Sequence, residues 1–487
     1  MVRHVGKAWT SGWKAGLAIA VAGGALLWHI LACIESPMAF SPSGKDLAFV
    51  TMEPYGGGDD LDLAGTHVYR LMVLSEGKPV RVLEETSRYM LTAPAWSPDG
   101  KRVAYLRIML LEKEQQDRLK ELIKKNKEAF KQLSEAVDET TWTEAPLPAV
   151  RGASEPPAKA PESTEDLSLP LVARMLDYSD KQFTLPRVPA VLVVRDAATG
   201  QVVSAMRTFT APMDTEAKPN AAEAAPFFML YLTVRPQFSP DGHLIYLCNG
   251  SEVLSFNPEE NKQWIVAAPA SAAALSPDGA TVAALGPESL ALVRPQTDSA
   301  VYRRLGRTSV SLSSLAWADK DTVALFRTRE GAPNIDLYRT DGTSAKSIPL
   351  ELPQHESTGT NQGELAIAPN GANMALAFGK DVFFMKMDGT ILQHWKGDKE
   401  FLAQPTFTPD SKRVAFKLLV SATPEGSEPN HTAAIVFFSP DGRELSRAEV
   451  PAAKLPAPPA EKEPADKPAA EKKPAETKPA DIKPAQK

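Results

Sequence analysis

The chain has 487 residues, of which 43% are hydrophobic and 23% are charged, so it is long enough to form a large folded core. Its 54 lysines and arginines and 60 acidic residues give a net charge of −6. The region expected to fold has no basic block, which argues against nucleic acid as a partner. Two cysteines, Cys33 and Cys248, do not indicate a disulfide framework, and Cys248, within an apolar run, is interpreted as a small buried hydrophobic residue.

Residues 1–35 have the features of an export segment. Arg3, Lys7 and Lys14 precede an apolar run from Ala15 to Ile34 that only His29 interrupts. A helix rises about 1.5 Å per residue, so this run reaches about 30 Å, enough to cross a hydrocarbon core. We expect a signal anchor or transmembrane helix that keeps its basic flank in the cytoplasm. The rest of the chain would then lie outside the cytoplasm, in the periplasm or at the cell surface.

Two alternatives for this segment remain open. Ile30-Leu31-Ala32-Cys33 resembles the lipobox of bacterial lipoproteins, in which the cysteine is lipidated after cleavage. Simple cleavage and release is the other possibility. All three interpretations export the body of the protein.

From residue 38 onwards a short motif recurs seven times. In each copy an apolar run meets a turn of the Ser-Pro-Asp-Gly type, and a β-prone run follows. Serine accepts a backbone N–H, proline fixes φ, and glycine takes the positive φ that other residues resist, so the motif predicts a β-hairpin. The fifth copy departs from it with Ala318-Asp319-Lys320, and the seventh has Ser411 in place of glycine. The copies span residues 38–51, 94–107, 236–249, 273–286, 315–328, 365–379 and 405–418.

Each copy is followed by a second apolar segment, its own polar turn and a further strand-like run, so every unit predicts four antiparallel strands. Short strands in units of about 40 residues are typical of a β-propeller. The motif resembles the PD40 repeats of TolB-like and WD-repeat-like propellers of the bacterial cell envelope. We therefore predict an all-β, seven-bladed β-propeller over residues 36–451, with no strand exchange between its first and last blades.

The direction of the strands determines at which end of the propeller the insertions lie. With strands A to D in each blade, the A–B and C–D turns lie at one end, and the B–C and D–A connections lie at the other. The long connections, at residues 51–66, 108–189, 211–225, 352–362 and 420–431, all belong to the second end. Because long loops in compact domains are often functional, we expect this end to be the working face.

The insertion at 108–189 contains a predicted amphipathic helix over residues 110–137. Its apolar stripe either packs on the rim of the propeller or serves as a docking helix. Residues 145–166 have the composition of a disordered segment. Residues 452–487 are Pro-Ala-Glu-Lys repeats, and we predict a disordered tail that acts as a spacer or adheres to a wall polymer or partner.

The sequence contains no nucleophile elbow, P-loop, dinucleotide fingerprint or zinc helix. The seven histidines are scattered, and we interpret them as structural. Gly56-Gly57-Gly58-Asp59-Asp60-Leu61-Asp62 could hold calcium, but a solvated turn explains the same residues. We therefore predict no catalytic, cofactor or metal residues.

Together these features predict a non-enzymatic, membrane-anchored scaffold that binds envelope proteins through its insertion-bearing end. The alternatives are a propeller hydrolase or lyase with a site over the central channel, an accessory subunit of a catalytic partner, and a carbohydrate or cell-wall binding module. A carbohydrate module would need clustered exposed tryptophans, whereas three of the eight lie in the N-terminal segment and the others are scattered.

Overall fold

A computed structural model describes residues 37–54, 67–109, 121, 187–212, 234–249, 252–268, 270–286, 289–297, 299–305, 315–329, 332–352, 363–378, 381–397, 400–421 and 430–452. Within these residues, 29 strands form seven antiparallel sheets, and each sheet consists of strands that are consecutive in the chain. The predicted seven-bladed propeller is confirmed.

The first three blades contain the longest connections. Blade 1 comprises β1 (Ala39–Phe40), β2 (Asp46–Pro54), β3 (His67–Ser75) and β4 (Arg81–Thr86). Blade 2 comprises β5 (Tyr89–Leu91), β6 (Ala95–Trp96), β7 (Arg102–Met109), β8 (Arg187–Asp196) and β9 (Val202–Pro212). Blade 3 comprises β10 (Gln237–Phe238), β11 (Ile245–Cys248), β12 (Val253–Asn257) and β13 (Lys262–Ala267). In blade 2 strand A is split, so β5 and β6 both pair with β7.

The remaining four blades complete the chain. Blade 4 comprises β14 (Ala272–Leu275), β15 (Val282–Leu285), β16 (Ser289–Arg294) and β17 (Ser299–Arg304), and blade 5 comprises β18 (Leu315–Trp317), β19 (Thr322–Arg329), β20 (Ala332–Arg339) and β21 (Ser344–Pro349). Blade 6 comprises β22 (Gly363–Ile367), β23 (Asn373–Phe378), β24 (Asp381–Lys386) and β25 (Ile391–Lys396), and blade 7 comprises β26 (Glu400–Phe407), β27 (Val414–Ser421), β28 (Asn430–Phe438) and β29 (Glu444–Glu449).

The first strand of each blade is the innermost. These A strands contact one another around the ring, as β1 does with β6, β6 with β10, β18 with β22, and β26 with β1. Apolar side chains on both faces of the middle strands then pack against the neighbouring blades. One four-stranded sheet cannot bury two faces by itself, so the ring supplies the core.

Blades 7 and 1 close the ring by packing face to face, as predicted. Their shared apolar cluster consists of Met38, Leu47, Phe49, Met72, Ala415, Ile435 and Val450. Thr406 Oγ1 donates a hydrogen bond to the carbonyl oxygen of Met38 at 3.4 Å. Because each sheet uses only consecutive strands, this seam depends on side-chain packing and not on an exchanged strand.

The A–B turns lock successive blades together. The glycine of each of four turns lies against the turn proline of the preceding blade, and its φ is between +69° and +76°. The four contacts are Pro42 with Gly100, Pro98 with Gly242, Pro240 with Gly279, and Pro409 with Gly44 across the closing seam. At Gly279, where a Cβ would lie 2.3 Å from Cδ of Pro240, glycine is required both for its positive φ and for the close approach of the proline.

The two turns that depart from the motif keep a link to the neighbouring blade. In blade 7, Ser411 adopts a φ of 62°, and its hydroxyl accepts a hydrogen bond from the backbone N–H of Asn370 in blade 6 at 3.0 Å. In blade 5, the carbonyl oxygen of Ala318 lies 3.3 Å from where a Cβ on Gly371 of blade 6 would stand. The substitutions weaken the motif locally without breaking the ring of turns.

Within the A–B turns of blades 2, 3, 4 and 7, a hydroxyl and a carboxylate organise the backbone. In blade 2, Ser97 Oγ donates to Asp99 Oδ1 at 2.5 Å and accepts from the N–H of Arg102 at 2.9 Å. The hydrogen bond from Ser97, followed by that from the N–H of Lys101, lowers the pKa of Asp99. A hydrogen bond from a Ser or Thr hydroxyl is likewise the main cause of the lowered pKa of Asp241, Asp278 and Asp410 in the other three turns, and of Asp441 in the C–D turn of blade 7.

Three expectations fall on residues that the structure does not describe. These are the membrane segment at 1–35, the helix at 110–137 apart from residue 121, together with the disordered stretch at 145–166, and the tail from residue 453 onwards. No helix within the described residues is long and apolar enough to cross a bilayer. The export and membrane interpretations stay predictions.

Gly279 tests the contact between successive turns. A Cβ at this position would lie 2.3 Å from Cδ of Pro240, whereas a Cβ on Gly77, which has a similar φ of +69°, would meet no atom within 4 Å. We expect Gly77→Ala to cost about 1–2 kcal/mol of unfolding free energy from backbone strain alone. Gly279→Ala should cost about 1–3 kcal/mol more because the turns are forced apart. Urea denaturation of both variants measures the difference, and equal losses would disprove the packing role.

The turn aspartates predict acid sensitivity. Because their pKa is depressed in the folded state, the unfolded chain binds more protons on acidification. The stabilisation that these aspartates give the folded protein is therefore complete above about pH 3.9, the pKa of an aspartate in the unfolded chain. It is lost as the pH falls through their lower pKa values in the folded state. We expect the urea midpoint to fall between pH 5 and pH 2.5, and to fall less steeply in a variant carrying Asp99→Asn, Asp241→Asn and Asp278→Asn. An unchanged slope in that variant would contradict the assignment.

Candidate interaction face and charged sites between blades

The insertions occupy one end of the propeller. Strands B and C, or strands D and A, connect there through residues 55–66, 110–186, 213–236, 305–314, 350–362 and 422–429, and we call this end the insertion-bearing face. The strands extend further towards it than the apolar pattern predicted, since β2 reaches Pro54, paired with His67, and β9 reaches Pro212. The opposite end, the turn face, carries the short A–B and C–D turns.

A buried charged site joins blades 1 and 2. The carboxylate of Glu84 on β4 forms an ion pair with Arg107 Nε at 2.7 Å and with Arg195 Nη2 at 2.8 Å. The hydroxyl of Tyr105 on β7 donates to the same carboxylate, and Arg195 Nε donates to that hydroxyl at 2.7 Å. The Glu84 side chain is only 6% exposed. One carboxylate thus serves three donors from the neighbouring blade.

The pKa shifts in this site follow from burial and charge. Burial, reinforced by the negative charge of Glu84, raises the pKa of the Tyr105 hydroxyl, so it remains a hydrogen-bond donor at neutral pH. Burial opposes the charged form of Arg107, but Tyr105 and Glu84 outweigh it and raise its pKa. The cluster is therefore a fixed arrangement of charges and hydrogen bonds that aligns blade 2 on blade 1.

Blade 5 contains a similar buried pair. Arg327 on β19 forms an ion pair with Asp336 on β20, and its Nη1 donates a hydrogen bond to the carbonyl oxygen of Leu305, at the end of blade 4, at 3.2 Å. Ser347 Oγ donates to Asp336 Oδ1 at 2.6 Å. Arg327 and Arg107 hold equivalent places near the end of strand B. In both blades an arginine in this place contacts the preceding blade.

The closing seam also carries buried charge. Lys417 on β27 is fully buried, and its Nζ donates to the carbonyl oxygen of Val50 in blade 1 at 2.7 Å. On the facing side of blade 1, Arg70 pairs with Glu53, and burial lowers the pKa of Arg70. Because an unpaired charge in such a seam is costly, these groups favour one alignment of blade 7 on blade 1.

The central channel is the space enclosed by the seven A strands, which contact one another around the ring. Charged side chains among the described A-strand segments are Arg235, Glu364 and Glu400. Glu364 accepts hydrogen bonds from the N–H and from Nε2 of Gln404, both at 2.5 Å. Gln404 is buried and has a φ of 56°, a strained value for a residue with a side chain.

The sequence predicted no catalytic, cofactor or metal residue, and the candidates that it weighed lie apart. The acidic loop at 56–62 falls outside the described residues. Among the described residues, no group of three or more His, Cys, Asp or Glu side chains is arranged to hold a metal ion. His394 stacks on Phe383 with 4.6 Å between ring centroids. Cys248 is a buried free cysteine, as interpreted from the sequence.

Comparison with known proteins gives likenesses of fold. No family model matches the chain, and no curated protein matches it. Among solved structures, it is similar to the Cps50 (Swd1) β-propeller domain of Myceliophteria thermophila, with 13% identity and a TM-score of 0.37 over 54% of this chain and 82% of that domain. It is also similar to TolB from Acinetobacter baumannii, with 14% identity and a TM-score of 0.33 over 72% of this chain and 63% of TolB, which is less than two thirds of that protein. The fold assignment rests on the seven sheets themselves.

Glu84 provides the test of the buried site. In Glu84→Gln, two arginines lose their counter-charge in a buried setting, so we expect a loss of about 3–5 kcal/mol in unfolding free energy. The matched control is Glu444→Gln, which alters an exposed pair with Arg447 and should cost less than about 1 kcal/mol. Urea denaturation at pH 7 measures both. Equal effects would show that the Glu84 cluster does not align the blades.

Proposed function

We propose that this protein is a membrane-anchored scaffold that acts by binding protein partners outside the cytoplasm, through the insertion-bearing face. The N-terminal residues 1–35 would be the anchor, with the propeller in the periplasm or at the cell surface. The partners would be proteins of the cell envelope. Binding, and not catalysis, would be the activity.

The observation that carries the proposal is the contrast between the two ends of the blades. At the turn face, prolines and glycines of successive blades pack against one another, so this end tolerates little variation. At the insertion-bearing face, six connections of at least eight residues join strands without altering the sheets. Long loops on a rigid support are a frequent basis for protein recognition.

The anchor part of the proposal is supported by the sequence alone. Three basic residues precede an apolar run of about 30 Å, if helical, and the propeller follows immediately. Basic residues before such a run favour a cytoplasmic N-terminus. The insertion-bearing face would then be presented to other envelope proteins.

Photocrosslinking tests which face binds. A photoreactive amino acid would replace Arg88 or Glu351, exposed residues in the connections of the insertion-bearing face, and in matched variants Lys78 or Lys412 on the turn face. We expect discrete crosslinks to envelope proteins from the first pair and none from the second. Crosslinks from the turn face only would overturn the proposal.

Deletion of the largest insertion gives an independent test. Ile108 pairs with Ala190 in the β7–β8 ladder, so a short Gly-Ser turn in place of residues 111–185 should leave blade 2 intact. We expect the variant to keep its melting temperature and to lose the partners crosslinked through Arg88. Removal of residues 453–487 is the control and should leave those crosslinks unchanged. Retention of all crosslinks without the insertion would exclude it as the binding element.

A further inference from the structure

The chain enters the propeller at the insertion-bearing face. Strand β1 of blade 1 runs towards its A–B turn, where the N–H of Gly44 donates to the carbonyl oxygen of Ser41 at 2.8 Å. Pro37, two residues before the start of β1, therefore lies at the opposite end, on the side of the B–C and D–A connections. The next residue, Met38, is fully buried in the seam between blades 7 and 1, and its carbonyl oxygen accepts a hydrogen bond from Thr406. The point of entry is therefore fixed in the structure.

Three neighbouring blades project beyond this point. In blade 1, Ala39 pairs with Ala48, and β2 continues for six residues past Ala48, to Pro54. Strands β7 of blade 2 and β27 of blade 7 continue for five and six residues past the equivalent level, whereas β11 and β15 of blades 3 and 4 end two residues past it. Pro37 is also only two residues past that level. At about 3.3 Å per residue, the longer strands reach about 10–13 Å beyond Pro37.

We call these projecting ends, formed by β2 with β3, β7 with β8, and β27 with β28, the three arms. Blades 7, 1 and 2 are consecutive in the ring, so the arms lie on both sides of the point where the chain enters. Because each arm is a paired hairpin ladder, it is a rigid extension of its blade.

The sequence leaves little chain between the proposed anchor and this point. The apolar run ends at Ile34, and only Glu35 and Ser36 separate it from Pro37. An extended chain covers at most about 3.6 Å per residue, so the three steps from Ile34 to Pro37 span at most about 11 Å. A lipid on Cys33 in place of the helix would add one step. With either anchor, the arms reach about as far from Pro37 as the bilayer is, so the propeller would not stand clear of it.

The arms have a composition that suits a membrane surface. Charges on them are satisfied within the protein, since Glu53 pairs with Arg70 and Lys417 donates to a carbonyl oxygen of blade 1. Tyrosine is enriched at membrane–water interfaces because its ring is apolar and its hydroxyl is polar. Half-buried apolar and aromatic side chains near the ends of the arms are Met52, Tyr89, Phe401 and Val420.

We propose that the insertion-bearing face lies on the surface of the membrane that holds the anchor, and that the short connection at residues 35–36 keeps it there. This inference rests on the anchor proposed above, and it narrows the class of partner. A protein that meets this face has to be embedded in the same membrane and to approach from the side. The turn face points away from the membrane, about 25 Å farther out, because β7 has eight residues.

Fluorescence quenching tests the orientation of the full chain in phosphatidylcholine vesicles. A fluorescent amino acid would replace Arg88 or Glu351 on the insertion-bearing face, and Lys78 or Lys412 on the turn face in matched variants. Some lipids in both leaflets carry a nitroxide on the headgroup, which quenches only at short range. We expect the first pair of positions to lose most of its fluorescence and the second pair almost none. Equal quenching at the two faces, or stronger quenching at the turn face, would overturn the proposal.

A spacer then tests the role of the short connection. About twenty Gly-Ser residues inserted between Glu35 and Ser36 have a root-mean-square length of about 25 Å, and should abolish most of the quenching at position 88. The same spacer between Ala452 and Ala453, after the last blade, is the matched control and should leave the quenching unchanged. Undiminished quenching with the first spacer would refute the short connection as the cause of the orientation.

Flotation of the same vesicles separates this inference from the proposed function. If the unaltered protein does not float with the vesicles, the anchor is refuted, and the proposed membrane-anchored scaffold fails together with this inference. If the protein floats but the quencher does not distinguish the two faces, the anchor stands and only the orientation is wrong.

Discussion

The contact between the turn proline of one blade and the turn glycine of the next is the constraint on which the ring depends. A blade has no stable position until both of its faces are covered, and apolar packing alone allows adjacent sheets to slide. Pro240 against Gly279, and Pro409 against Gly44 across the closing seam, fix the height of each blade relative to its neighbour. The same four-residue motif therefore specifies a hairpin and also aligns the hairpins around the ring.

This constraint explains why the two ends of the propeller differ. An insertion in an A–B turn would separate a proline from the glycine that it covers, and would disturb two junctions at once. A connection at the other end only has to join two strands whose positions are already set, as β7 and β8 remain paired from Arg102 to Ile108 with 77 residues between the two strands. The long insertions therefore lie at the end of the propeller where the contacts between blades do not involve the connecting loops.

The hairpins, the number of blades and the placement of the insertions could be predicted from the sequence because each is a local or repeated property. The contacts between blades could not, since they join residues as distant as Gly44 and Pro409. Charged residues within apolar runs were an available indication: Arg107 and Arg327 occupy equivalent places in strand B, and both contact the preceding blade.

The closing seam must reach the same alignment as the other junctions without an exchanged strand to tie it. Apolar residues such as Phe49 and Ile435 supply attraction between blades 7 and 1, but they discriminate poorly between neighbouring registers. Lys417 discriminates sharply, because its ammonium is satisfied by the carbonyl oxygen of Val50 in one register and would be buried without that acceptor in a shifted one. The Glu84 cluster has the same effect between blades 1 and 2. Buried charge in these two seams thus contributes to specificity of assembly, while the apolar clusters provide the stability that holds the ring closed.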